Sequence, residues 1–211
     1  MIVLDYGWWI ASRASGMVAL LLVTISVLIG LLVSMKLVKR RGAGPFLVAL
    51  HEQTALGGLI SIAVHGATLL ADPWLRPGLA GVLVPFASPY RPFFTGVGVV
   101  AGYLVALLGL SFYVRQRIGT SVWRKAHRAT ILVWALGLVH AFGAGTDAGA
   151  VWFRELVFFT SAPVALLFGV RVVTELRKNR DKRGSGSGSP ADDSLDVSRK
   201  DDTPKIVTRA A

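Results

Sequence analysis

The chain reads as an all-α, polytopic membrane helix bundle of about five transmembrane helices, each long enough for the roughly 20 residues a bilayer demands. Three observations point there. The 211 residues are 53% hydrophobic and only 17% charged. The charges are segregated, so that long apolar runs alternate with basic clusters. The basic clusters also alternate in density from one connection to the next, the pattern that fixes orientation in a bilayer.

Taken in order, the apolar periods predict spans at residues 8–35, 46–71, 93–114, 122–142 and 151–174. The connection "KLVKRRGAGP" carries four basic residues, the turn 115–128 five and the segment 171–183 six, against only Arg13, Arg76, Arg91 and Arg154 on the other side. Such a bias puts the N-terminus outside and the C-terminus in the cytoplasm. A pI near 10.7 would suggest a nucleic-acid partner in a soluble protein. Here topology accounts for the positive charge, so the expected partner is the lipid bilayer and not nucleic acid.

The N-terminal "MIVLDYGWWIASR" lacks a basic leader, so the first helix is expected to be retained. Residues 72–92 contain five prolines, which exclude a continuous spanning helix, and Trp74, Phe86 and Tyr90 suit the outer interface or a lid. Residues 1–176 are read as the membrane domain and 177–211, rich in Ser, Gly and Asp beyond residue 184, as a disordered cytoplasmic tail. Cysteine is absent, which excludes disulfides, thiolate metal sites, iron–sulfur clusters and covalent CxxCH haem attachment.

All four histidines fall on two of the predicted spans: His51 and His65, 14 residues apart, and His127 and His140, 13 apart. Ionisable groups in hydrocarbon are costly and mark function. A separation of this size lifts one histidine roughly 20 Å above the other, too far for one metal ion. The second and fourth spans run parallel, so His51 lies at the depth of His127 and His65 at the depth of His140. Two stacked two-histidine sites result. Facing imidazoles in an apolar surround, with no thiolate or carboxylate, suit the axial positions of a haem iron.

Small residues Ala55, Gly57, Gly58, Ser61, Ala63 and Gly66 are expected to make room for a porphyrin. Fourteen residues turn a helix through about 1400°, close to four turns, so His51 and His65 share a face. Thirteen fall about 140° short, so either the fourth span is tightened or bent, for instance near Gly137, or His127 lies in an irregular first turn. Arg13 in "WWIASRASG" is a candidate partner for a haem propionate, with snorkelling to the outer interface as the alternative. Arg91 is a weaker candidate of the same kind. Arg124, Lys125 and Arg128 are explained by topology, Trp123, Trp134 and Trp152 as belt or packing residues. Glu52 either orients the His51 imidazole or begins a helix.

The doubled histidine spacing, with a basic connection leading into "WRKAHRATILVWALGLVHAFGAGTD", resembles the ferric reductase-like transmembrane domain over residues 8–174. That family includes the membrane parts of ferric reductases and NADPH oxidases and the haem-binding subunit of bacterial methionine sulfoxide reductase. The resemblance implies two haem b groups, an inner one on His51 and His127 and an outer one on His65 and His140. It implies an oxidoreductase membrane subunit that passes single electrons from cytoplasm to exterior, in the plasma membrane of a bacterium.

Larger family members carry a flavin and nicotinamide module after the last helix. Here no strand leads into a phosphate-cradling glycine turn, so electrons are expected from a separate donor, a flavoprotein reductase or quinol. An extracytoplasmic acceptor or partner subunit would complete the system. Two other classes use similar features: a histidine-based transition-metal transporter, and a membrane anchor for a soluble redox partner.

Overall fold

The computed structural model describes residues 2–185, and these are helical with no strand among them. The elements are α1 (Ile2–Ser34), α2 (Ala43–Leu70), α3 (Gly78–Leu83), α4 (Pro92–Leu110), α5 (Arg115–Ile118), α6 (Thr120–His127), α7 (Thr130–Ala144) and α8 (Val151–Ser185). Four stretches are long and apolar enough to cross a membrane: Tyr6–Ser34, Ala43–Leu70, Pro92–Leu110 and Val151–Asp181.

The long helices manage their hydroxyls internally. Thr24 donates to the Leu20 carbonyl, Ser61 to Gly57, Thr68 to Val64 and Thr160 to Leu156, each one turn back. In an apolar solvent that is the cheapest way to satisfy a hydroxyl. Large apolar side chains point outward instead of forming a large core: Leu107, Leu132, Leu166 and Phe159 are 65%, 66%, 68% and 71% exposed. In water this surface would aggregate, and in a bilayer it is the solvated face.

The predicted fourth span differs from the structure. Residues 122–142 are not one helix; they divide into α6 and α7, and the 15 residues of α7 are about 22 Å long. The division follows His127 directly. Arg128, Ala129 and Leu132 donate to carbonyls three residues back, Lys125, Ala126 and Ala129. Such steps turn the chain by about 120° per residue instead of 100°, the direction needed to bring His127 toward the face of His140. No break occurs at Gly137, which lies inside α7. Before α6, the left-handed φ of 93° at Gly119 makes the sharp turn from α5.

Residues 72–92 form an ordered cap containing the six-residue α3, not a spanning helix. Its anchor is Asp72, which is buried and accepts from the backbone N–H groups of Trp74 and Leu75. The Tyr103 hydroxyl on α4 donates to the Leu83 carbonyl and ties α3 down.

The chain divides into two units, residues 1–169 and 170–211. Within the first, α2 packs along α1 and α7 along α4, with smaller contacts between α1 and α7 and between α2 and α4. Leu31, Trp134 and Val164 form a small buried cluster there. The second, as described, is the end of α8, which runs to Ser185 and not to the expected boundary at 176. Glu175, Arg177, Lys178 and Arg180 are good helix formers, so the charged stretch does not end the helix. The rest of the predicted tail, 186–211, lies outside the described residues.

Candidate functional site: two stacked histidine pairs

The four histidines meet in two pairs. His51 faces His127 with ring centroids 6.0 Å apart and planes at 88°, and His65 faces His140 at 6.3 Å and 74°. A metal bridging two imidazoles through bonds of about 2 Å, plus about 1 Å from each nitrogen to its ring centre, requires centroids roughly 6 Å apart. Both pairs have that separation. Because α2 packs on α1 and α7 on α4, the pairs reach across the space between the two helix pairs.

Orientation of each ring comes from the opposite side. The Nδ1 of His51 donates to the Ser26 carbonyl at 2.8 Å, that of His65 to the Ser12 carbonyl at 2.8 Å, and that of His140 to the Phe94 carbonyl at 2.9 Å. A proton on Nδ1 leaves the lone pair on Nε2 free to coordinate. Ser12 and Ser26 also place their hydroxyls beside the same nitrogens, at 3.3 and 3.0 Å. The exception is His127, whose Nδ1 is buried without a partner among the described residues; its ring is stacked on Trp123 at 4.8 Å.

Close backbone approach seats the rings. A Cβ at Gly16 would lie 3.1 Å from the His65 Nδ1, one at Gly30 3.3 Å from the His51 ring, and one at Gly98 only 2.3 Å from the His140 Nδ1. The glycines singled out on α2 do something else. Gly57 and Gly58 face Leu22 and Val23 of α1, and Gly66 faces Val82, so they permit helix packing and not room for a porphyrin.

Arg13 makes an ion pair within the protein. Its Nε donates to Asp147 at 2.9 Å, its Nη2 reaches the second carboxylate oxygen, and its guanidinium lies 4.0 Å over the Trp9 ring. Asp147 follows α7, so the fork binds that loop to α1 beside Ser12. Arg91 donates to the Gly143 carbonyl. Glu52 neither begins α2 nor orients His51, a task that falls to Ser26. Trp134 is a core residue that donates to Thr24, whereas Trp123 belongs to the His127 environment.

Several of these residues carry a readable signal. "SRASG" and "SVLIG" place a serine four residues before a glycine twice on α1, 14 residues apart, the same step that separates His51 from His65 on the antiparallel α2. Phe94 contributes only a carbonyl, for which no side-chain signal exists. Among the described residues no group of three or more His, Cys, Asp or Glu side chains comes together. The donor set is therefore two nitrogens per site, too few for a structural zinc and the number a haem iron leaves open on its axis. No family model, curated protein or solved structure matches the chain.

Proposed function

We propose that this chain is a membrane electron carrier that binds two haem b groups, one between His51 and His127 and one between His65 and His140. The observation that carries the reading is the pair of centroid separations, 6.0 and 6.3 Å, combined with the Nδ1 bonds that leave three Nε2 lone pairs free. Resemblance to the ferric reductase-like family leads to the same assignment.

In this reading α1, α2, α4, α6 with α7, and α8 are the five crossings. α7 lies along α4, and α6 makes up the length that its 15 residues lack. The N-terminus lies outside and the C-terminus in the cytoplasm of a bacterial plasma membrane, following the basic connections. Haem bound there supplies reversible one-electron chemistry. The protein's part is spacing and insulation: α2 holds His51 and His65 about 20 Å apart along its axis, and the apolar helix faces exclude water between them. Arg13, held by Asp147 through Nε and Nη2, retains Nη1 for an outer propionate. A separate flavoprotein or quinol supplies electrons on the cytoplasmic side, and an extracytoplasmic acceptor or partner subunit receives them.

The absorption spectrum of the purified protein tests this. A low-spin b-type spectrum with a sharp Soret band is expected. A colourless preparation that binds zinc stoichiometrically would replace the electron carrier with a metal transporter.

A further inference from the structure

The two sites are not equally closed. Three of the imidazoles are tied through Nδ1 to a carbonyl on a facing helix, and each sits inside a helix of at least 15 residues. His127 has neither support. Its Nδ1 is buried and unpartnered among the described residues. It is the last residue of the eight-residue α6, between the Gly119 turn and the break before α7.

What retains the ring is Trp123, one turn earlier on the same helix, stacked at an interplanar angle of 23° and itself held by an indole hydrogen bond of 3.1 Å to the Ser111 hydroxyl. Stacking holds a ring in a layer but does not fix its rotation as a hydrogen bond does. An imidazole without an acceptor at Nδ1 is also the weaker electron donor to a metal. A buried donor with no partner gains a hydrogen bond whenever the ring swings toward water.

We infer, on the basis of the haem reading above, that the iron between His51 and His127 opens a coordination position by releasing His127, and there takes a small neutral diatomic π-acceptor ligand. The iron between His65 and His140 stays closed. In the exchange the bond from iron to the His127 Nε2 breaks and a bond to the incoming ligand forms. The iron remains ferrous, and the imidazole leaves as a neutral ring with its Nδ1 proton.

Carbon monoxide is the probe, added to the dithionite-reduced holoprotein and followed in the Soret band. About half of the haem is expected to form the adduct, the share of one site in two. His140→Ala, which keeps only the His51/His127 site, should react completely, and His51→Ala, which keeps only the outer site, should not react. Trp123→Ala leaves all four ligands in place and should raise the rate of adduct formation several-fold. Inertness of the reduced protein, reaction at the outer site, or an unchanged rate in Trp123→Ala would each overturn the inference. A protein without haem would bring down the underlying reading as well, whereas a bis-imidazole spectrum indifferent to carbon monoxide would bring down this inference alone.

Discussion

An imidazole offers its lone pair in one direction, and at three of the four histidines that direction is set from behind by a carbonyl. The serine hydroxyls beside two of them are secondary, because the carbonyl remains when the hydroxyl is removed. Ser26→Ala should therefore leave haem content at the His51/His127 site intact, as measured by the pyridine haemochrome of the purified variant. Gly98 is different: its backbone touches the His140 ring, and a Cβ 2.3 Å from Nδ1 has no space. Gly98→Ala should displace His140 and remove about half of the haem, the share of one site in two, while the His51 site keeps its spectrum. Retention of the full complement in Gly98→Ala would mean that the close approach of Gly98 does not seat His140.

At the scale of elements, α2 and the α6–α7 pair solve the same spacing problem differently. α2 is a continuous helix on which 14 residues come close to four turns. The partner has 13, and the chain makes up part of the difference with tightened turns just after His127. One alanine inserted between Arg128 and Ala129 would rotate His127 by about 100° against α7 and should abolish the inner site only, as read from haem stoichiometry. The mismatch itself was legible in the spacing of His127 and His140; its location was not, because "AHRAT" contains no glycine or proline to mark a break. The histidine pairing was legible because a two-site pattern needs only helix rise and parallel direction. The Arg13–Asp147 fork was not, since it depends on where the loop after α7 returns, which no local period encodes. Its two side chains are 29% and 17% exposed, between the surface and buried limits, so Asp147→Asn should cost about 1–2 kcal/mol in thermal unfolding of the detergent-solubilised protein. The exchanged pair Arg13→Asp with Asp147→Arg should recover part of it.

Among the described residues large apolar side chains such as Leu107, Leu132, Leu166 and Phe159 point outward, and the proposed orientation follows the basic connections. Because the sequence contains no cysteine, single cysteines report orientation without background. Gly149→Cys should react with a membrane-impermeant maleimide in intact cells, and Ser121→Cys only after permeabilisation; the reverse pattern would invert the bundle. In the proposed reading the two histidine depths are the two ends of one electron path, and the two sites are expected to load independently. Haem per chain in the four single histidine variants tests that most directly. Two haems are expected in the intact protein and one in each variant, with His65→Ala and His140→Ala giving one residual spectrum and His51→Ala and His127→Ala the other. Loss of both haems from any single replacement, or a haem content unaffected by all four, would contradict it.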